Sequence, residues 1–193
     1  MEAFFSSLAL VAVAEMGDKT QLLSFLLAAR FPRRATPLLL GILAATLLNH
    51  WVAAAVGGWV AQHVSAQAVR WSLGGAFLVF ALWALKPDTL DADEAPRSGH
   101  SAFFTALVAF FVAEMGDKTQ FATVALGAHY AHAVAAVVVG TTLGMMAANV
   151  PAVLLGDRLA QRVPLQRMRY LASGLFALFG LLVLLDVGTV LLQ

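Results

Sequence analysis

A chain of 193 residues with 61% hydrophobic and only 12% charged residues is not an ordinary soluble domain, in which about a quarter of residues carry charge. A net charge of +1 gives no footing for a nucleic-acid partner, and the absence of cysteine excludes disulfides and thiolate metal sites. The composition is that of a protein whose solvent is the lipid bilayer.

A spanning helix needs about 20 predominantly apolar residues, and six such stretches follow one another, at about 3–29, 36–61, 68–86, 101–127, 132–156 and 169–192. The first has no basic leader and is interrupted by Glu15 and Asp18, so it is expected to be a mature helix rather than a cleaved signal. It ends at Arg30-Phe31-Pro32-Arg33-Arg34, an interfacial signature. The second carries Asn49 and His50 near its middle, and the third runs from Arg70-Trp71 to Lys86-Pro87. A polar segment at 87–100, with Asp88, Asp91, Asp93, Glu94 and Arg97, separates the two halves and is expected to be solvated. The fourth stretch resembles the first. The fifth holds Gly140, Gly144, Asn149 and Pro151, and a loop with Arg158, Arg162, Arg167 and Arg169 leads into the sixth.

The halves are copies of one unit. Aligning Ala3–Gln21 with Ala102–Gln120 pairs 19 positions, 13 of them identical, and both copies end in Glu-Met-Gly-Asp-Lys-Thr-Gln, at 15–21 and 114–120. At the same offset of 99, Gly41 pairs with Gly140, Phe77 with Phe176 and Phe80 with Phe179. Three helices per unit is an odd number, so the second copy enters the membrane from the opposite side. The expected fold is an all-α polytopic membrane protein, six transmembrane helices as two inverted three-helix repeats: 1–86, a linker at 87–100, and 101–193. Lysine and arginine concentrate on the side of the linker, leaving Arg70 alone on the other. The linker is therefore expected in the cytoplasm with both termini outside, in the cell (inner) membrane. Trp59, Trp71 and Tyr130 at one level and Trp83 and Tyr170 at the other fit two aromatic belts.

Charged side chains at mid-membrane cost about 2.5 to 3.5 kcal/mol each even on the lenient insertion scale, so Glu15, Asp18, Lys19 and their counterparts Glu114, Asp117 and Lys118 must face one another or water. On a regular helix Asp18 lies about 60° and Lys19 about 40° from Glu15, while Thr20 points nearly opposite. A break at Gly17 and Gly116 would turn Thr20, Gln21, Thr119 and Gln120 toward the acids. Four carboxylates against two ammonium groups leave a formal −2, which one divalent cation neutralises. An oxygen-rich set suits Mn²⁺, Ca²⁺ or Mg²⁺ over Cu or Zn, with Met16 and Met115 as soft contacts that would tilt toward Mn²⁺. Carboxylates crowded in low dielectric take up protons when the metal leaves, so metal and protons exclude each other, as antiport requires.

Glu15, Asp18, Glu114 and Asp117 are thus the candidate metal ligands. Lys19, Thr20, Gln21, Lys118, Thr119, Gln120, Asn49 and Asn149 are accessory or proton-coupling candidates. Against this stands a plainer arrangement in which Glu-Lys pairs only lock helices together, and in which the asparagines serve as interhelical brackets. Asn49 and Asn149 miss repeat equivalence, since the offset pairs His50 with Asn149.

With its duplicated Glu-x-Gly-Asp-(Lys/Arg)-(Thr/Ser) signature, at Glu15–Thr20 and Glu114–Thr119, the chain resembles the Gdt-type cation exchangers, uncharacterised protein family 0016. That resemblance covers nearly the whole chain. It implies exchange of Mn²⁺ or Ca²⁺ for protons with the motif acids as ligands, the metal being transported substrate and no cofactor resident. The expected function is a secondary-active divalent cation/proton antiporter exporting Mn²⁺ from the cytoplasm, and not an enzyme. Its alternatives are an exporter of a small organic cation or amino acid and a passive divalent channel. The expected partners are the metal ion, protons and the bilayer, with a homodimer left open.

Overall fold

The computed structural model describes residues 1–86, 101–155 and 165–185, and among these the chain is helical with no strand. In order come α1 (Glu2–Ala14), α2 (Lys19–Arg30), α3 (Ala35–His63), α4 (Ala66–Ala84), α5 (Ala102–Glu114), α6 (Lys118–His129), a 3₁₀ turn (Ala131–Ala133), α7 (Val134–Leu155) and α8 (Leu165–Leu184). The linker at 87–100, Arg158, Arg162 and Asp186 lie outside the described residues. Over the apolar stretches 3–29 and 101–127, where the sequence leaves close helix approach or a local break at Gly17 and Gly116 open, the structure has two helices each, divided inside the repeated motif. Elsewhere helix starts follow local chemistry: the Ser65 and Ser101 hydroxyls accept from the amides of Ala68 and Phe104, each satisfying one otherwise orphaned donor.

The long helix α3 is turned inside out relative to a helix of a water-soluble protein. On α3 the buried face is Gly41, Ala45, Thr46, Asn49, His50, Ala53, Ala54, Gly57 and Gly58, with Leu38 and Ile42. Leu40, Leu43, Leu47, Trp51, Val56 and Trp59 are exposed. Small and polar residues inside with bulky apolar residues outside is the pattern of helices packed in lipid, where burial of leucine offers no advantage over leaving it in hydrocarbon. By length and composition α3 and the segment Ala131–Leu155 are each able to cross a bilayer. Trp59, Trp71 and Tyr170 face outward as belt residues would. Tyr130 does not: it is buried, and its hydroxyl lies 3.2 Å from a Glu2 carboxylate oxygen.

The halves pack on each other through equivalent residues. A Cβ on Gly41 of α3 would overlap the Phe103 carbonyl of α5, and one on Gly140 of α7 would meet the Phe4 carbonyl of α1, the same contact displaced by 99 residues. Phe77 of α4 stacks on its own counterpart Phe176 of α8 at 6.2 Å between centroids. Phe77–Phe179 at 6.0 Å is mirrored by Phe80–Phe176 at 5.9 Å. Thr46 donates to the sulfur of Met145, again its own counterpart.

Candidate metal and proton site

The site begins with two equivalently placed interruptions of helix. Gly17 and Gly116 have φ of 86° and 75°, the left-handed region that glycine enters without steric penalty. The next residues, Asp18 and Asp117, are extended, with ψ of 168° and 160°, and cap new helices. Gln21 and Gln120 close each break: their side-chain oxygens accept from the amides of Gly17 and Gly116 at 2.9 and 2.8 Å. This is a variant of the capping box, with a glutamine at the third helical position reaching back past an aspartate cap. Gln21 also donates to the Ala148 carbonyl at 3.2 Å. The two glutamines therefore build the break, and their oxygens are spent on backbone.

Breaking the helix changes which motif residues meet. Thr20, on the far side of a regular helix from Glu15, here donates to a Glu15 carboxylate oxygen. Thr119 of the other half donates to the second Glu15 oxygen at 2.5 Å. Glu15, Glu114 and Asp117 offer carboxylate oxygens that all lie within 4.8 Å of one another, and all three side chains are buried. Asp18 lies across an ion pair from Lys118, both nearly inaccessible. The reciprocal pair, Lys19 with Asp117, is longer at 3.9 Å and its lysine is 16% exposed. The N-termini of α2 and α6, the positive ends of their helix dipoles, begin at Asp18 and Asp117 within the acidic motif.

Three of the four candidate ligands thus converge, and the fourth, Asp18, stands in the adjoining charge pair. Two asparagines bracket helices instead. Asn49 donates to the Phe111 carbonyl at 3.3 Å; Asn149 accepts from Ser24 at 2.7 Å and donates to the Met145 carbonyl at 3.0 Å. Met115 is 59% exposed and turned away from the acids, because the break puts it on the extended step that precedes Gly116. Two residues escaped the sequence reading as site components. Ser24 carried no motif signal. His50 did have one, since it falls opposite Asn149 in the repeat, and the structure places its Nε2 3.8 Å from Glu114 Oε1 with the ring fully buried.

Chemically the centre is a largely buried, oxygen-rich cluster of four carboxylates and two ammonium groups, a net −2 when all are ionised. Such an assembly is stable only when a cation or protons complete it.

A cluster of buried charges where two similar halves meet, in a chain whose outward-facing residues are largely apolar, is the mark of a membrane protein that handles ions. The family described as divalent cation/proton antiporter GDT1 matches residues 3–92 and again residues 102–189, and the chain belongs to that family. A relative from Vibrio cholerae, provisionally designated a manganese exporter, is 49% identical over 181 residues, covering 94% of this chain and 90% of the relative. A GDT1-like protein from Synechocystis is 29% identical over 93% of this chain and 95% of its own length. GDT1-like protein 5 of Arabidopsis thaliana is 30% identical over 94% of each. No solved structure matches the chain.

Proposed function

We propose that this antiporter exports Mn²⁺ from the cytoplasm in exchange for protons, through one site held between two inverted three-helix repeats. Residues 1–86 and 101–193 form the repeats, α1–α2 and α5–α6 are each a single span broken at mid-membrane, and the 87–100 linker is cytoplasmic with both termini outside. Half-helices meeting at a break, their N-termini toward the substrate, are how many secondary transporters build a mid-membrane site. The observation that carries the reading is the meeting of Glu15, Glu114 and Asp117 within 4.8 Å, contributed by both halves.

In this reading Glu15, Glu114 and Asp117 hold the metal, and Asp18 joins them when Lys118 swings away. When the ion departs, the same oxygens take protons, and the lysines balance what charge remains. Neither metal nor protons can occupy the chamber fully while the other does, so rocking of the halves carries one in each direction. The choice of Mn²⁺ rests on the designation of the Vibrio cholerae relative, with Ca²⁺ the next ion to compare.

The test is flux in proteoliposomes, following internal pH with Mn²⁺, Ca²⁺ and Mg²⁺ entry. Mn²⁺ entry is expected to drive proton exit, and Glu15→Gln or Asp117→Asn to abolish both. Metal movement without proton counterflow would leave a passive channel, and transport of an organic cation with no divalent flux would overturn the metal assignment.

A further inference from the structure

Around the acidic centre the two halves are not equally occupied. Glu15 accepts hydroxyl hydrogens from Thr20 and Thr119. Its counterpart Glu114 is buried, and neither of its carboxylate oxygens has a hydrogen-bond partner. The same contrast recurs one layer out. Asn149 is committed to Ser24 and Met145, whereas its counterpart His50 is fully buried with neither ring nitrogen in a hydrogen bond. Buried polar groups ordinarily find partners, so two adjacent exceptions mark where something else binds. His50 Nε2 lies 3.8 Å from Glu114 Oε1, beyond a hydrogen bond and close enough for one ion to touch both.

We propose that His50 is a nitrogen ligand to the transported ion, joining Glu114 at the edge of the Glu15–Glu114–Asp117 cluster in a mixed imidazole–carboxylate set that sets the preference for Mn²⁺ over Ca²⁺ and Mg²⁺. This rests on the transport reading above and adds its selectivity. Ca²⁺ and Mg²⁺ are hard ions that take oxygen, and a nitrogen in place of one oxygen gives them little. Mn²⁺ accepts both donor types, so one imidazole among carboxylates raises its affinity relative to the other two. A single nitrogen, with no cysteine in the sequence, keeps the site short of the nitrogen- and sulfur-rich sets that retain Zn²⁺ or Cu²⁺. Placement on α3 is suited to the role, because His50 sits near the middle of the 29-residue helix, at the depth of the motif breaks.

The experiment uses the full chain, purified without a polyhistidine tag and loaded with Mn²⁺. Pulsed electron paramagnetic resonance on the bound ion reads directly coordinated nitrogen, and ¹⁵N-histidine labelling identifies it as imidazole. There are five histidines, so a chain with His63, His100, His129 and His132 all changed to Gln carries the label at His50 alone. Imidazole coupling is expected in both the natural chain and this variant, and its loss in His50→Gln. His50→Gln should also bind Mn²⁺ about 10- to 100-fold more weakly, the range typical when a metal's supporting groups are lost, with Ca²⁺ affinity nearly unchanged. Equal losses for Mn²⁺ and Ca²⁺ would mean that His50 only packs. Mn²⁺ that needs Glu15 and Glu114 yet shows no imidazole coupling would overturn the His50 assignment and leave the transport reading standing. Mn²⁺ binding indifferent to those acids would sink both.

Discussion

At the scale of single residues, the two cross-half ion pairs are equivalent in sequence but not in environment. Lys118 and Asp18 are in direct contact with almost no access to solvent, whereas Lys19 and Asp117 stand 3.9 Å apart with the lysine partly exposed. Removing one member of a buried pair strands the other charge and typically costs about 3–5 kcal/mol. Lys118→Met is therefore expected to destabilise the protein by about that much, Lys19→Met by far less, and Asp18→Asn with Lys118→Met to recover most of the loss. Unfolding in detergent measures all three; equal losses for the two lysines would show that the pairs are interchangeable. The threonines make a separate case. A hydrogen bond to a charged group is worth about 1.5–3 kcal/mol, so Thr119→Val, which keeps the shape and removes the donor to Glu15, should cut Mn²⁺ flux about tenfold or more. Thr119→Ser should restore it. Wild-type flux in the valine variant would mean that Thr119 does not orient Glu15.

At the scale of elements, the decisive feature is the break, and it was only partly legible in the sequence. The motif, its duplication and the acids that had to be buried were readable, because a repeated charged heptapeptide in an apolar stretch has few physical explanations. Regular-helix angles nevertheless put Thr20 on the wrong side. A helical wheel assumes continuity, and a left-handed glycine followed by an extended aspartate resets the phase. Gln21 and Gln120 were readable as equivalents but not as caps, since capping depends on where the new helix begins. Gly116 isolates the backbone term: a Cβ there would meet nothing within 4 Å, so a substitution acts through φ alone. Asparagine enters the left-handed region more readily than other non-glycine residues, and β-branched residues scarcely do so. Gly116→Asn should therefore retain folding and flux, and Gly116→Val should lose about 1–3 kcal/mol along with transport. If both variants behave alike, the left-handed turn is not what holds Thr119 and Asp117 in place.

At the scale of the whole molecule, the 99-residue offset in the sequence reappears as contacts between residues and their own counterparts, Thr46 with Met145 and Phe77 with Phe176. Repetition alone could not reveal where the halves differ. His50 opposite Asn149, and Glu114 bare where Glu15 is bonded, become visible only when side chains are placed. If metal and protons exchange at this one cluster, its carboxylates must release protons to take metal. Metal ligands bind deprotonated, so every carboxylate that gives up a proton on loading makes the affinity rise with pH. Mn²⁺ binding to the detergent-solubilised chain is thus expected to weaken from mildly alkaline to mildly acidic solution, and to release protons in amounts that depend on Glu15 and Glu114. Ligand that binds only the folded state also stabilises it, by about 2.7 kcal/mol at a hundredfold excess over Kd. The Mn²⁺-induced rise in Tm should consequently shrink as pH falls. Calorimetry in two buffers of different ionisation enthalpy, with thermal unfolding across the same pH series, measures both quantities. Affinity and Tm shift that stay level with pH would mean that protons travel by a route separate from the metal, and coupling would then have to arise in the motion of the halves instead of in competition at one chamber.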